Sequence, residues 1–461
     1  MIKRSLAIAV TIGLILTGAV ANAAPKPKPY SPSETVGERC NREYGIKGYE
    51  AKLQEYLDSK YRCTGPNRII NSPVSKLKPK TMLTSKAETQ DLSLCKLPQP
   101  TASNQFRGFP VGNDENYKLK RHPGAGSVIQ IVGLTAPDAP AGKALPSQEY
   151  KFYFDKLKEW FTNVNNSGEP VILRFKDKWF DFGEPLKPLE LSHKNFTEQT
   201  KQFSTKFLQI IDPEIDFTDV DYLIVVVPVA TRYDVISQTG LMGKRTDEGE
   251  VRNMSLLMQP NFDKSQTHMF LNFLTIAMFI HELYHPGFNM GDQLGDEKWQ
   301  YENRGMGQWG MFATGTTDML QWHKWLLGFT TDSQVVCAPL NLPTTTWLSP
   351  GSTKTSKQKL LVVPISSSEA ILVESVRATG LNYRLSKSEQ GALVYRLDMT
   401  DLRYDFGYEV QFPDSRSWKT MKYAMGDAPL KKGESFTYKG VKITNVEWGE
   451  FGDVIKVEPA K

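Results

Sequence analysis

Apolar and polar positions divide the chain into a first part that alternates strands with helices and a second part of short strands. In the first part, Ser147–Val164 and Phe196–Ile211 carry apolar residues at the spacing of amphipathic helices. Apolar runs typical of strands lie around them, at 127–133, 171–175 and 221–228. The last of these runs is continuously apolar, which indicates a strand buried on both faces of its sheet. Strands interleaved with helices predict an α/β or α+β domain.

The pattern changes at about Thr346. Short apolar runs then follow at close spacing, separated by turns such as Lys439-Gly440, and little of the remaining sequence has helical spacing. The runs are Leu360–Pro364, Ala370–Glu374, Gly391–Leu397, Ser435–Tyr438, Val441–Thr444 and Asp453–Val457. They predict a β-sandwich-like C-terminal module. The predicted fold class is therefore α+β, with a twisted sheet and an active-site helix followed by a β-rich module.

The most distinctive motif is His281-Glu282-Leu283-Tyr284-His285, which ends the apolar run Phe270–Ile280. The run predicts a buried helix, and residues four apart on a helix share a face, so both imidazoles can reach one metal ion. Glu282 lies beside them, where it can accept a proton from a metal-bound water. An ordinary helix with two surface histidines is the alternative, but buried polar groups need partners, and a metal is the simplest one. The motif predicts a zinc-dependent hydrolase of the peptidase type.

Two histidines leave such a site incomplete, because catalytic zinc usually has three protein ligands and a water. Pro286 and Gly287 stop the helix directly after the motif, so the chain is free to turn back. No histidine follows at the expected distance, and Asp292 is the best candidate for the third ligand, with Asp296 second. In another class of zinc site the third ligand is a glutamate on a later helix, and Glu302 would then supply it.

A methionine in a tight turn after the zinc helix, followed by another helix, favours the metzincin class over that alternative. The segment Gly307–Ala313 contains Met311 and has the composition of such a turn, and Thr317–Leu327 predicts the helix. An ordinary core methionine is the other interpretation of Met311. His323, on the predicted helix, is expected to be a packed or surface histidine.

Together these motifs resemble the immune inhibitor A-like family of secreted bacterial metallopeptidases, a metzincin-type group. The matching segments are His281–His285, Gly287-Phe288, Asp292, Trp309–Ala313, Asp318–Phe329, Gly391–Asp398, Lys432–Phe436 and Gly440–Ile443. The likeness extends over roughly residues 126 to 460, and it is strongest at the zinc helix. Gly287 comes one residue earlier than in the family pattern and Asp292 one residue later.

The resemblance implies roles for individual residues. The zinc ligands would be His281, His285 and Asp292. Glu282 would be the general base that deprotonates a zinc-bound water for attack on a peptide carbonyl. Family members often bind calcium as well, and the carboxylates of Asp292, Asp296 and Glu297 are candidate ligands for it.

The first 23 residues have a basic start, a short apolar core and an Ala-Asn-Ala end. This pattern is typical of a secretory signal peptide cleaved after Ala23. An uncleaved membrane anchor is the alternative, but the apolar stretch is short and interrupted. The sequence therefore predicts a secreted protein, free or associated with the cell surface, without stable membrane insertion.

The predicted organisation is a signal peptide at 1–23, a pro-segment or small cysteine-containing subdomain at 24–107, a metzincin-like catalytic domain at 108–345 and a β-rich domain at 346–461. The four cysteines are Cys40, Cys63, Cys95 and Cys337. An even number in an exported chain predicts disulfides, with three possible pairings. Cys40 with Cys63 is the natural local pair, which leaves Cys95 with Cys337. A pro-segment thiol that inhibits the zinc is the alternative.

Charge adds little to this picture. The chain has 56 basic and 51 acidic residues, and the net charge of +5 is spread along it, which gives no case for nucleic acid. Proteins or peptides are the expected substrates. Two other functions stay open: a catalytically inactive binding or surface module on the same fold, and a structural or adhesive exported protein that uses the β-rich part.

Overall fold

The computed structural model of the chain describes residues 75–85, 88–100, 106–111, 127–166, 171–191, 198–232, 235–236, 239–257, 280–285, 290, 293, 305–313, 317–382, 385–401, 407–416 and 425–460. Several predicted features lie outside these residues. They include the signal peptide, the predicted helix Phe270–Ile280 apart from its last residue, the helix stop at Pro286 and Gly287, the cysteines Cys40 and Cys63, and the carboxylates Asp292, Asp296, Glu297 and Glu302.

The first sheet has five strands in the order β2-β1-β3-β5-β4. Its strands are β1 (Val128–Thr135), β2 (Ile172–Asp181), β3 (Tyr222–Val226), β4 (Thr239–Arg245) and β5 (Glu250–Leu257). All neighbours pair in parallel except β4, which runs antiparallel at the edge beside β5. Parallel strands need crossover connections, and the helices of this part supply two of them.

The described helices are α1 (Pro146–Glu149), α2 (Lys151–Val164), α3 (Glu198–Ile211), α4 (residues 280–285) and α5 (Gln321–Leu326). They cover both faces of the first sheet. Tyr222 and Ile224 of β3 belong to the core that includes α2 and α4, whereas Leu223 and Val225 belong to the core around α3. Because both faces are covered, β3 is buried throughout, as its continuously apolar sequence predicted.

Two further sheets form the C-terminal part. The second sheet has the order β11-β10-β9-β8-β6 and the third the order β12-β13-β14-β7. Their strands are β6 (Val335–Cys337), β7 (Thr344–Leu348), β8 (Leu360–Pro364), β9 (Glu369–Val376), β10 (Gly391–Asp398), β11 (Tyr408–Val410), β12 (Ser435–Tyr438), β13 (Val441–Gly449) and β14 (Gly452–Pro459). Short 3₁₀ helices lie at Leu92–Cys95, Lys187–Leu189, Asp212–Glu214, Asp332–Gln334, Gly380–Asn382 and Lys387–Glu389.

The second sheet is buried on both faces. Ile371 and Val373 of β9 pack towards the third sheet, and Ala370 and Leu372 belong to the core shared with α4 and α5. The second sheet and the helix that carries the HExxH motif therefore contribute to one hydrophobic core. The coarse prediction of an α+β chain with a β-rich C-terminal part is confirmed.

An N-terminal segment, residues 88–111 apart from 101–105, lies against the C-terminal part. A disulfide joins the buried Cys95 to Cys337 on β6, which confirms the predicted pairing of these two cysteines. Further along, the Trp322 indole donates a hydrogen bond to the Arg107 carbonyl at 2.8 Å, and the Phe109 ring packs against Trp325 with centroids 4.5 Å apart. The segment thereby connects the second sheet with α5.

Two predicted helices differ from those observed. The stretch Ser147–Val164 is divided at Tyr150, whose backbone leaves the helical region, so α1 and α2 are separate. The helix predicted at Thr317–Leu327 begins only at Gln321, because residues 317–320 are not helical and place the Asp318 carboxylate in a buried network. Among the described residues, no helix is long and apolar enough to cross a membrane.

Candidate metal centre

The HExxH motif lies on α4, and the helix is held firmly in the core. Ile280, Leu283 and Tyr284 are fully buried, and burial raises the pKa of the Tyr284 hydroxyl well above its ordinary value. The Ser255 hydroxyl on β5 donates a hydrogen bond to the Glu282 carbonyl at 2.9 Å. The backbone of the motif is thus attached to the first sheet.

His281 and His285 face each other on one side of α4, as the four-residue spacing predicted. Their Nε2 atoms lie 2.6 Å apart, and the two ring planes are nearly perpendicular, at 85°. His281 is buried, and His285 is partly exposed. The pair therefore lies at the boundary between the core and the solvent.

The other nitrogen of each ring donates to a backbone carbonyl. His281 Nδ1 donates to the Met311 carbonyl at 3.1 Å, and His285 Nδ1 donates to the Met290 carbonyl. A carbonyl oxygen can only accept, so each ring carries a proton on Nδ1, and its Nε2 can bind a metal ion when that nitrogen is unprotonated. Metal-binding histidines are commonly fixed in this manner. The two Nε2 atoms lie next to each other.

The Met311 carbonyl is presented by a turn at residues 305–313. Gly310 has a φ of +94°, in the left-handed region that glycine adopts without strain. The Thr317 hydroxyl accepts a hydrogen bond from the Gly310 N–H at 2.8 Å and donates one to the Gln308 carbonyl at 2.7 Å. The turn predicted around Met311 is present, and its methionine side chain is fully buried.

Glu282 is buried, with 5 % of its surface exposed, and it lies between the two histidines in the chain. A carboxylate in such a place has little water around it. Its position on α4 next to the Nε2 pair is compatible with the predicted role as a proton acceptor.

Phe312 packs against the whole site. Its ring centroid lies 5.5 Å from that of His281 and 5.7 Å from that of His285. On its other side, 5.5 Å away, is the ring of His323 on α5. His323 is fully packed rather than at the surface, and burial lowers its pKa to about 3, so it is neutral. It does not join the Nε2 pair.

The three candidates for a third ligand, Asp292, Asp296 and Glu302, lie outside the residues that the structure describes. Among the described residues, no three histidine, cysteine or acidic side chains come together as a metal site. The described part of the centre therefore consists of two imidazoles and the adjacent glutamate.

Three neighbours of the site carry no recognisable signal in the sequence: Ser255, Phe312 and Gln293. Ser255 and Phe312 act through contacts between distant parts of the chain, which no local pattern reveals. Gln293 is the chain neighbour of Asp292, and a polar residue beside a candidate ligand could have been flagged for that reason alone.

The donor set suits zinc. Two neutral imidazoles with Nδ1 held by carbonyls match the nitrogen ligands that zinc prefers. Tetrahedral zinc with bonds of 2.0–2.1 Å needs about 3.3 Å between the two nitrogens, so the rings would have to separate from the present 2.6 Å to bind it. No protein-family model matches the sequence, and no curated protein is significantly similar to it.

Proposed function

We propose that the protein is an exported zinc endopeptidase in which His281 and His285 bind the metal and Glu282 is the general base. The observation that carries the proposal is the convergence of the two Nε2 atoms, with both Nδ1 atoms held by backbone carbonyls. Asp292 is the proposed third ligand, and Asp296 and Glu302 are its alternatives. A metzincin-type fold and membership of the immune inhibitor A-like family belong to the same proposal.

The chemistry follows from the residues. A zinc ion, when bound, supplies a Lewis acid that lowers the pKa of water and polarises a peptide carbonyl. Glu282 accepts the proton of the attacking water and returns it to the leaving amine. The imidazoles take no part in proton transfer, because their Nδ1 protons are engaged with the carbonyls of Met290 and Met311.

Export is supported by the Cys95–Cys337 disulfide, since disulfides persist mainly in oxidising compartments. The signal peptide predicted at residues 1–23 is part of the same proposal. Calcium binding, implied by the family resemblance, stays a separate proposal for the acidic residues after the motif.

The test separates metal binding from catalysis. The mature protein is purified, its zinc content is measured by mass spectrometry, and cleavage of casein is followed with and without a chelator. Wild-type protein should contain about one zinc and lose activity with the chelator. Glu282→Gln should keep the zinc and lose at least roughly 100-fold in kcat, because it lacks only the proton acceptor. His281→Ala should lose both zinc and activity.

Glu458→Gln, the same chemical change on β14 and far from α4, is the matched control and should behave as wild type. Absence of zinc from the wild-type protein, or full activity in Glu282→Gln, would refute the proposal. Asp292→Ala tests the third ligand, and retained zinc in that variant would transfer the role to Asp296 or Glu302.

A further inference from the structure

Gln293 connects the two backbone segments whose carbonyls hold the site histidines. Its N–H donates to the Phe312 carbonyl at 2.7 Å, and its own carbonyl accepts from the Met306 N–H at 3.1 Å. Phe312 directly follows Met311, the acceptor for His281, and Gln293 lies three residues after Met290, the acceptor for His285. Gln293 is therefore linked to both acceptors, by a hydrogen bond to the residue after Met311 and along the chain to Met290.

The side chain of Gln293 extends from this junction to α5. Its Nε2 lies 3.0 Å from His323 Nε2, and both residues are buried, with 4 % and 1 % exposure. Because His323 is neutral, the amide N–H donates and the ring nitrogen accepts, or with the amide reversed its oxygen accepts from the ring N–H. In either arrangement one hydrogen bond joins the segment of Met290 to α5.

His323 is itself held on both sides. Its ring lies between Phe312, at 5.5 Å, and Tyr408 of β11, at 5.1 Å. The helix that carries it is fixed by a hydrogen bond from the Gln321 N–H to Glu374 Oε2 on β9, at 2.8 Å. The support behind the histidine pair thus extends into the second sheet.

The contribution of Gln293 and His323 to the stability of the fold does not by itself explain this polar pair. Gln293 Oε1 and His323 Nδ1 are both buried, and among the described residues neither finds a hydrogen-bond partner. Two apolar side chains of the same size would avoid that desolvation cost. A polar pair kept in this place is better explained by the direction that its hydrogen bond imposes on the residues it joins.

We propose that Gln293 and His323 are positioning residues that hold the Met290 and Met311 carbonyls, and through them the Nε2 atoms of His281 and His285, in the geometry for zinc. This inference rests on the proposed function. Groups that orient metal ligands directly commonly change metal affinity 10- to 100-fold when they are removed, and we expect the low end of this range for residues one step further away. Neither residue touches the metal or the substrate.

The test uses the full mature chain and the variants Gln293→Met, His323→Phe and the double variant. Zinc dissociation constants are measured by competition with a chromogenic chelator, and kcat and KM are measured on one peptide. Each single variant should raise the zinc dissociation constant about 10-fold and lower kcat more than it raises KM. The zinc dissociation constant of the double variant should not exceed that of the single variant that binds zinc less tightly, because the two residues act through one hydrogen bond.

Two further variants separate positioning from packing. His323→Gln can still accept or donate the hydrogen bond, so it should restore most of the zinc affinity, and it serves also if His323→Phe does not fold. Thr344→Val removes a buried hydroxyl without a described partner from β7, and it should leave the zinc affinity unchanged. Zinc dissociation constants within twofold of wild type in Gln293→Met and His323→Phe would overturn the inference. A wild-type protein that binds no zinc would instead refute the proposed function, and the inference with it.

Discussion

The Nε2 atoms of His281 and His285 lie 2.6 Å apart, each at the end of a ring whose Nδ1 donates to a backbone carbonyl. Two lone pairs at this distance repel each other unless a cation lies between or beside them. A proton on one Nε2 would join the two rings through a hydrogen bond, and a zinc ion would bind both nitrogens directly. We therefore expect a bound metal ion to stabilise the pair.

This relationship predicts that zinc stabilises the folded protein. Free zinc at 100 times its dissociation constant should raise the free energy of unfolding by about 2.7 kcal/mol, because the unfolded chain holds no preformed site. The measurement is the melting temperature of chelator-treated protein against zinc concentration. His285→Ala should abolish the rise, whereas Glu282→Gln should keep it. An equal rise in His285→Ala would show that the stabilising zinc binds elsewhere.

Ser255 offers a second prediction on the same helix. Its buried hydroxyl donates to the Glu282 carbonyl, so Ser255→Ala leaves that carbonyl with one hydrogen bond fewer. The free energy of unfolding should fall by about 1 kcal/mol, as for a typical buried hydrogen bond. Urea denaturation of the chelator-treated protein measures it. Ser255→Thr, which keeps the hydroxyl, should lose less, and equal losses would indicate a packing effect.

The parts of the fold that the sequence predicted are those where a local pattern reports burial directly. The strand Asp221–Pro228 was recognised because both its faces are covered, and β3 lies within it. The facing histidines followed from the helical repeat alone. The pairing of Cys95 with Cys337 followed from elimination, and the structure contains it.

What the sequence did not predict depends on contacts between distant segments. The strands β4 and β5 were not foreseen, since Thr239–Arg245 is an edge strand with few apolar residues. Residues 317–320 have helical composition but are not helical, because the Asp318 carboxylate accepts hydrogen bonds from Ser352 and Lys324. The carbonyls that orient the histidines are backbone atoms, which every residue has, so the sequence cannot indicate which ones do so.

The disulfide gives a third prediction. Cys95 and Cys337 are 242 residues apart, and a link across so long a loop restricts the unfolded chain strongly. Replacing both by alanine should lower the free energy of unfolding by roughly 2–5 kcal/mol. Chemical denaturation measures the loss. Because both sulfurs are buried, wild-type protein should resist mild reductant until it unfolds, and rapid reduction of the native protein would contradict this prediction.

A buried ion pair joins the second and third sheets. Arg377, directly after β9, lies 2.8 Å from the Asp453 carboxylate on β14, and Ser375 and Asn445 also donate to that carboxylate. Arg377→Met leaves a buried charge without its partner, so the free energy of unfolding should fall by about 3–5 kcal/mol. Arg377→Met with Asp453→Leu should recover part of this loss. A double variant that loses the sum of both single effects would show that the two residues are not coupled.

The last prediction concerns Glu374, which is buried on β9 beside α5. Burial raises its pKa to about 8 from 4.5, and the hydrogen bond from the Gln321 N–H opposes this only in part. Nearby, burial would also raise the pKa of Asp318, but the Lys324 ammonium at 2.6 Å holds it below its ordinary value. Glu374 therefore carries a proton in the folded protein at pH values where the unfolded chain has lost it.

The sign of the effect follows from that difference. Between pH 4.5 and about 8 the folded state binds more protons than the unfolded state, so the contribution of Glu374 to stability falls as the pH rises.

Glu374→Gln keeps an oxygen for the Gln321 N–H and does not titrate. The free energy of unfolding of the variant, relative to that of the wild type, should therefore increase as the pH rises. The increase should be at most about 5 kcal/mol from pH 4.5 to 8. Denaturation curves of both proteins at pH 5, 6, 7 and 8 measure the difference. Burial also lowers the pKa of Lys359 to about 7, but Lys359 titrates in both proteins, so its contribution cancels in the difference between them. A difference that stays constant over this range would mean that Glu374 is already ionised in the folded protein.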